Sequence, residues 1–270
     1  MQVTMTGAPA WAGRVNEDFV GALPTAAVLV DGAGIPGTES ICQHGVAWYA
    51  SRLGSSLLGL LASGPDRSLP VLLADAITQV TDAHRETCEV ADPISPSAAV
   101  AVLRFSGGLV EYLVLGDAVV ALERADAEPL VVTDRREVVI SRSYEPAIEA
   151  AVAGSDEHQR LLRDLRANRN RPGGFWVAKD DPRAADEAVT GSCRATELTG
   201  AALLSNGASR IVDQFAIADW PQVMAVLASS GPAEILRRVR DAEARLAVTA
   251  DDATIAYCQH QVSAAPSGGS

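Results

Sequence analysis

The sequence predicts an α+β fold in which antiparallel sheets are covered by helices. Two patterns carry this prediction: short apolar segments typical of strands occur in consecutive runs, and long segments with helical periodicity occur together between those runs. Apolar sheet faces must be covered, so this order favours a layered sandwich over alternating strands and helices. The chain has 270 residues, of which 48% are hydrophobic, and this is enough for a sizeable core.

The first half of the chain predicts a hairpin, a pair of helices and a run of strands. The hairpin has strands over 18–23 and 26–32 around Pro24-Thr25. Helices are expected over 38–63, broken at Gly54, and over 69–90. An antiparallel meander follows, with strands over 97–105, 109–118, 119–125 and 129–134.

The second half begins with a polar, arginine-rich segment, 145–171, that is predicted to be helical. The remaining predicted elements are strands over 174–179 and 201–207, helices near 218–229 and 232–246, and a strand over 253–261. No repeat or domain boundary is evident. We therefore expect a single domain over 1–261 and a disordered C-terminal tail of small residues over 262–270.

Composition excludes several classes of function. The net charge is −12 and Lys179 is the only lysine, which argues against a general nucleic-acid binder and against a phosphate-loop ATPase. No apolar run reaches the roughly 18 residues that span a bilayer, and the N-terminal residues lack a signal-peptide pattern. A cytoplasmic location is expected. The cysteines and histidines are scattered without a metal-binding or redox spacing, so ordinary reduced thiols are expected.

The segment 30–37, V-D-G-A-G-I-P-G, contains a G-x-G-x-x-G pattern between a strand and a helix. A dinucleotide site is not favoured, because the carboxylate of Asp31 would repel a pyrophosphate and Arg52 stands where a ribose-binding acid is expected. Counting outward from the Pro24-Thr25 turn instead places Asp18 opposite Asp31, about 5 Å away across the strand pair. Such a pair is destabilising unless a cation lies between the carboxylates, although either acid alone would be stable if solvated at a strand end.

Further oxygen ligands follow or precede other predicted strands. Asp117 and Asn206 each follow an apolar strand, and Asp251 and Asp252 precede the last one. If these strand ends meet at one rim, the oxygen-only ligand set favours Mg²⁺ or Mn²⁺. A bridging carboxylate is typical of a two-metal site that activates water against a phosphate ester.

Six segments form a larger pattern, and they are R-V-N-E-D (14–18), V-D-G-A-G (30–34), S-A-A-V-A-V (97–102), L-G-D-A (115–118), L-L-S-N-G (203–207) and D-D-A-T-I (251–255). Their order and rough spacing resemble those of type 2C metal-dependent protein serine/threonine phosphatases, the PPM family, in its bacterial form. The resemblance covers about residues 2 to 260. It implies a four-layer αββα sandwich, with two antiparallel β-sheets flanked by helices and a metal site at one edge.

The resemblance also implies roles for individual residues. Asp31 matches the carboxylate that bridges two ions, Mn²⁺ or Mg²⁺, and the Gly32 carbonyl is a further ligand. Asp18 and Glu17 match the acids of the second ion, and Asp251 matches a ligand of the first. A smaller group completes the site: Asp117 for a third, weaker ion, Asn206 as a metal ligand, and Arg14 for phosphate.

Two departures from the family pattern bear on activity. Asn206 stands where the family has aspartate, which keeps an oxygen ligand and removes a charge, so weaker metal binding is expected. Arg14 lies four residues before Asp18, where the family spacing is five. In addition, Asp252 stands where asparagine is more usual.

The predicted function is hydrolysis of phosphoserine and phosphothreonine by metal-activated water, with a phosphorylated protein as partner and no nucleic acid or membrane. The alternative is a regulatory or binding module with the phosphatase fold, weakened or inactive because of Asn206. A third hypothesis, an N-terminal-nucleophile amidohydrolase, requires Ser, Thr or Cys at the mature N-terminus, and the sequence begins Met1-Gln2. The segment 145–171 falls where the family carries a flap, and its arginines either attract phosphate or form a solvated helix face.

Overall fold

The computed structural model describes residues 1–35 and 37–259. Its strands are β1 (Gln2–Ala8), β2 (Phe19–Leu23), β3 (Ala26–Ala33), β4 (Ser97–Ser106), β5 (Leu109–Leu115), β6 (Val119–Arg124), β7 (Ala127–Val132), β8 (Val189–Arg194), β9 (Leu198–Leu204) and β10 (Ala253–Gln259). Its helices are α1 (Gly45–Ser63), α2 (Leu69–His84), α3 (Arg136–Ser141), α4 (Glu145–Ala150), α5 (Asp156–Arg166), α6 (Asn206–Asp213), α7 (Trp220–Ser230) and α8 (Pro232–Leu246). Short 3₁₀ turns cover Pro182–Glu187 and Ala195–Glu197.

The strands form two five-stranded sheets in which neighbouring strands are antiparallel. One sheet has the order β1-β10-β9-β6-β7 and the other the order β2-β3-β4-β5-β8. Apolar residues on the inner faces, such as Leu29 and Leu103 of one sheet and Leu122 and Leu203 of the other, pack together in one cluster. The two sheets therefore lie face to face over a shared apolar layer.

Strand β3 shows why both faces of a sheet must be covered. Its residues from Ala26 to Val30 are all buried, and alternate side chains point to opposite faces. Leu29 faces the other sheet, whereas Val28 and Val30 pack with α1 and α2 through residues such as Leu53 and Leu72. Helices α6, α7 and α8 cover the outer face of the second sheet in the same way. The predicted four-layer αββα sandwich is confirmed.

Several local predictions are wrong, and packing explains them. The helix predicted from 38 begins at Gly45 and is not broken at Gly54, where a Cβ would lie 2.0 Å from Cδ1 of Phe19. This glycine allows α1 to pack closely on β2. The predicted meander is divided between the two sheets, because the chain leaves β5 through Gly116, at a φ of 76°, and enters β6 of the other sheet.

The segment 174–179 is not a strand, although it is apolar. Its pairing is limited to isolated bridges at Ala178 and Phe175, and Phe175 and Val177 pack against Leu165 of α5. Strands β1 and β8 and helix α6 were not predicted. The tail predicted over 262–270 and the last two residues of the predicted final strand lie outside the described residues. Within the described part of the chain, no helix combines the length and apolar character needed to cross a bilayer.

Candidate metal centre

The hairpin of β2 and β3 brings the first two acids together. Its register pairs Leu23 with Ala26 and Phe19 with Val30, so the next position along places Asp18 opposite Asp31, as predicted. Strand β3 continues through Asp31, which pairs with Ala99 of β4. The Asp31 carboxylate is therefore carried by a rigid, central strand.

Three more strand ends meet at the same rim. Asp117 follows β5, Asn206 begins α6 after β9, and Asp251 lies just before β10. A cavity of about 230 Å³ opens between them. Its lining contains every site residue predicted from the sequence except Asp18, and these residues are Arg14, Glu17, Asp31, Gly32, Asp117, Asn206 and Asp251.

Asn206 connects the two central carboxylates. Its backbone N–H, at the N-terminus of α6, donates to Oδ2 of Asp31 at 2.6 Å. Its side-chain Nδ2 donates to Oδ2 of Asp117 at 2.8 Å. The first N–H groups of a helix have no intrahelical acceptor, so the bond to Asp31 also satisfies the start of α6. Asn206 thus holds Asp31 and Asp117 in place as a hydrogen-bond donor.

Asp18 lies beside this pair, and its carboxylate is without a partner. Both of its oxygens are buried, and neither has a hydrogen-bond partner among the described residues. Burial raises the pKa of Asp18 to about 6 and outweighs the opposing effect of the Thr254 and Ser205 hydroxyl groups, which lie near the carboxylate but do not reach hydrogen-bond geometry. A buried acceptor without a donor is costly unless a proton or a cation compensates it. Carboxylate oxygens of this kind are the ligands that a hard divalent cation prefers.

The other two central acids are perturbed in the same direction. Desolvation raises the pKa of Asp31 well above its ordinary value, and the charges of Asp18 and Asp117 raise it further. Desolvation also raises the pKa of Asp117 to about 7, and the charge of Glu137 adds to this effect. The raised pKa values mean that the three carboxyl groups are costly to ionise together. A bound cation would remove this cost, so the group is suited to binding positive charge.

Arg14 and Glu17 form one edge of the cavity. The guanidinium of Arg14 donates to Oε2 of Glu17 at 2.7 Å and lies 4.9 Å from the centre of the Trp11 ring. Burial raises the pKa of Glu17, and Arg14 partly opposes this rise. Both side chains keep more than a quarter of their surface exposed. Arg14 is therefore at the mouth of the cavity, paired with an acid.

Asp251 and Asp252 have different environments despite being neighbours. Asp251 is 46% exposed and accepts a hydrogen bond from Nη2 of Arg210 at 2.7 Å. Asp252 is buried, and its two oxygens accept from the backbone N–H groups of Ala10 and Glu17, each at 2.7 Å. Two acceptor oxygens are needed there, which accounts for aspartate at position 252. Asp252 fixes the segment that carries Glu17 and Asp18.

The glycine beside Asp31 allows close packing of two chain segments. A Cβ at Gly32 would lie 2.3 Å from the backbone oxygen of Glu17. Gly207 has a similar constraint, since its Cβ would lie 1.9 Å from the backbone oxygen of Asp252. These glycines allow the chain segments that carry the acids to pack closely against one another.

Two further residues line the cavity and form an ion pair at 2.9 Å. Glu137 of α3 was not indicated by the sequence, whereas Arg166 of α5 is one of the arginines of 145–171 for which phosphate attraction was one of two alternatives. Of the other arginines in 145–171, Arg160 pairs with Asp164 and Arg163 with Asp92, both on the surface. Arg169 is buried, and desolvation lowers its pKa to about 9. A cationic segment was visible in the sequence, but which of its arginines faces the cavity depends on how α5 packs.

Comparison with known proteins places the fold. The serine/threonine phosphatase Stp1 from Staphylococcus aureus superimposes with a TM-score of 0.65 over 96% of this chain and 95% of its own, at 12% sequence identity. The catalytic domain of the phosphatase PstP, solved with two manganese ions, superimposes with a TM-score of 0.60 over 96% of this chain and 97% of its own, at 15% sequence identity. The chain has the fold of bacterial serine/threonine phosphatases.

A third structure with this phosphatase fold is PppA, described as a key regulatory component of the T6SS in Pseudomonas aeruginosa. It gives a TM-score of 0.59 over 95% of this chain and 96% of its own, at 16% identity. No protein-family model and no curated protein matches the sequence. At these identities the likeness establishes the fold, and the residues of the cavity carry the argument about function.

Proposed function

We propose that this protein is a metal-dependent phosphatase that hydrolyses phosphoserine and phosphothreonine in a phosphorylated protein. The proposal rests on the group of Asp18, Asp31 and Asp117, whose carboxyl groups are all desolvated. The oxygens of Asp18 have no hydrogen-bond partner among the described residues. The fold supports the same class of activity, because the similar structures are serine/threonine phosphatases.

The positions of the side chains around the cavity support the ligand set that the resemblance implies. Asp31 would be the central ligand of two Mn²⁺ or Mg²⁺ ions, which Gly32, Glu17, Asp18 and Asp251 would help to hold. Asn206 would be a further, uncharged ligand, and Asp117 would hold a third, weaker ion. When bound, such ions supply positive charge against phosphate oxygens and lower the pKa of coordinated water.

The chain's own residues prepare the cavity for a phosphate ester. The backbone N–H of Asn206 orients Asp31 through a hydrogen bond that does not depend on an ion. Arg14 has a planar donor group at the cavity edge and would exchange part of its bond to Glu17 for phosphate oxygens. Arg166 adds positive charge to the cavity lining, where its bond to Glu137 orients it.

A second candidate, a weakened or inactive regulatory module with this fold, is favoured by one contact. The side-chain amide of Asn206 donates a hydrogen bond to Asp117. An aspartate at position 206 would instead add a negative charge beside Asp117. Asn206 therefore satisfies Asp117 without a cation. This module would keep the fold and bind a partner without turnover.

Hydrolysis of a phosphothreonine peptide with Mn²⁺ tests the proposal. We expect turnover by the native protein, loss of at least a hundredfold in Asp31→Asn, and no change in the control Asp241→Asn, whose side chain lies on the exposed surface of α8. Equal activity in Asp31→Asn would show that the cavity is not the active site.

The variant Asn206→Asp separates the two candidates. A carboxylate at this position adds a negative charge to the ligand group and so strengthens its attraction for a divalent cation. We expect at least tenfold tighter Mn²⁺ binding together with faster turnover. A native protein without turnover, with activity only in Asn206→Asp, would favour the regulatory module.

A further inference from the structure

A second group of possible ligands lies outside the carboxylate cavity. The loop before α1 carries Cys42 and His44, and the segment after α2 carries Cys88. The two Sγ atoms and an imidazole nitrogen of His44 all lie within 4.8 Å of one another, and Nδ1 of His44 is 3.3 Å from Sγ of Cys88. The cysteines are far apart in sequence, so no spacing motif indicated this group.

The backbone holds the two segments together independently of these side chains. The carbonyl of Thr38 accepts from the N–H groups of Ile41 and Cys42, at 2.9 and 3.1 Å, which closes the loop into a turn. The carbonyl of Ile41 then accepts from the N–H of Glu89 at 2.9 Å. Because Ile41 and Glu89 are the chain neighbours of Cys42 and Cys88, this bond fixes the approach of the two thiols.

The imidazole of His44 is also held in position. Its ring packs on Trp48 at a centroid distance of 4.4 Å, and the His84 ring lies 6.0 Å away. His84 is engaged through Nδ1 with the carbonyl of Val80, which fixes its own orientation. Packing of this kind restricts rotation of a ligating histidine and lowers the entropic cost of binding.

We propose that Cys42, His44 and Cys88 form a second metal site that binds Zn²⁺. Two thiolates and one imidazole are the ligands that Zn²⁺ prefers, whereas Mn²⁺ and Mg²⁺ prefer oxygen. Zinc–sulfur bonds of about 2.3 Å and zinc–nitrogen bonds of about 2.0 Å place tetrahedral ligand atoms roughly 3.5 to 3.8 Å apart. The 3.3 Å between Nδ1 of His44 and Sγ of Cys88 is close to this spacing, and the three ligand atoms, all within 4.8 Å of one another, need only small shifts to reach it. A water molecule or a small anion would take the fourth position.

The site lies beside the carboxylate cavity. Cys42 lines a neighbouring cavity of about 380 Å³, and Arg14, Glu17 and Gly34 line both. Zinc at Cys42 would therefore join the loop that follows Asp31 to the end of α2 and stiffen the wall between the two cavities. The function of the ion is structural, and it does not depend on the phosphatase activity proposed above.

Cobalt absorption spectroscopy tests the site on the reduced, metal-free protein. One equivalent of Co²⁺ is expected to give thiolate-to-cobalt charge-transfer absorption together with intense visible bands of a tetrahedral ion, and Zn²⁺ is expected to abolish both. The carboxylate cavity cannot produce these signals, because its ligands are oxygens. A native protein without thiolate charge transfer would overturn the proposal, and this result requires no variant to fold.

Substitution of single ligands tests which residues bind the metal. Cys42→Ser, Cys88→Ser and His44→Gln are each expected to weaken Zn²⁺ binding more than tenfold, measured by competition with a chromophoric chelator. Cys193→Ser is the matched control, since Cys193 is a half-buried thiol on β8. An unchanged signal in Cys88→Ser would contradict the assignment. A Cys42–Cys88 disulfide in air, with no cobalt signal after reduction, would assign the pair to redox chemistry instead.

Discussion

Asn206, which lines the cavity, and Asp252, which is buried behind it, differ in what their side chains must do. Asp252 needs two acceptor oxygens, because the N–H groups of Ala10 and Glu17 both point at it. Asn206 instead acts through its donors, with the backbone N–H on Asp31 and the side-chain amide on Asp117. Both residues depart from the pattern of the resembling phosphatases, and they change the local charge in opposite directions. Asparagine at 206 removes a negative charge, whereas aspartate at 252 adds one that reinforces the effect of burial in raising the pKa of Asp18.

The substitution Asp252→Asn tests the structural role of this carboxylate. Asparagine can accept one of the two hydrogen bonds, and its amide would face the remaining N–H group. An unsatisfied buried donor costs roughly 1 to 3 kcal/mol, so we expect a fall of that size in the free energy of unfolding by urea. Asp241→Asn, on the exposed surface, should leave it within about 0.5 kcal/mol. Equal stability of the two variants would show that the contacts of Asp252 contribute little.

The pairing of Asp18 with Asp31 followed from the sequence because a two-residue turn determines the register of its strands. The ion pair of Glu137 with Arg166 and the bond from Arg210 to Asp251 could not be predicted. Those partners come from separate elements, and their meeting depends on packing angles that no local pattern encodes.

Gly54 of helix α1 allows the helix to pack closely against strand β2. Gly54 lies in the middle of α1, where glycine normally weakens a helix, and it was predicted to break the helix. The ring of Phe19 occupies the space that a side chain would need. Phe19 directly follows Asp18, so close packing at Gly54 supports the strand that carries one of the central acids.

A pair of alanine substitutions in α1 tests this explanation. Gly54→Ala should lower the free energy of unfolding by roughly 1 to 3 kcal/mol, because a Cβ would overlap Phe19. Gly59→Ala, in the same helix with open space around it, should raise that free energy by about 0.5 to 1 kcal/mol through helix propensity. Urea unfolding of both proteins measures the two effects. Stabilisation by both substitutions would mean that Gly54 is not a packing residue.

Patterns of period two and 3.6 predicted most of the long elements, since burial repeats with those periods. They failed at 174–179, where an apolar run packs on α5 rather than in a sheet, and at β1 and β8, which lie at sheet edges. An edge strand has a neighbouring strand on one side only, and most of its side chains are exposed or half-buried, so its alternation of apolar residues is weak.

The sandwich as a whole gathers charge at one rim. Four strand ends place Asp18, Asp31, Asp117 and Asp251 together in a chain whose net charge is already −12. The architecture compensates this repulsion only in part, through Arg14, Arg166 and Arg210, each of which is paired with an acid. Without a cation, the rim is expected to be the least favourable part of the fold at neutral pH.

The pH dependence of stability follows from the raised pKa values of Asp18, about 6, and Asp117, about 7. An acid whose pKa is higher in the folded chain contributes stability below its unfolded pKa of about 4, and this contribution is lost as the pH rises through the folded pKa. The Tm of the metal-free protein should therefore fall as the pH rises from about 4 to about 7. A smaller fall in Asp18→Asn is expected, and a Tm that rises over this range would contradict the assigned pKa directions.

Calorimetric titration of the metal-free protein with Mn²⁺ at neutral pH tests whether the rim is a cation site. We expect saturable binding of two ions, at least tenfold weaker in Asp18→Asn and weaker still in Asp31→Asn, with native affinity in Asp241→Asn. Bound Mn²⁺ should also raise the Tm in the native protein and not in Asp31→Asn. Absence of saturable binding, or equal binding by Asp31→Asn and the native protein, would contradict the assignment of these carboxylates to a metal centre.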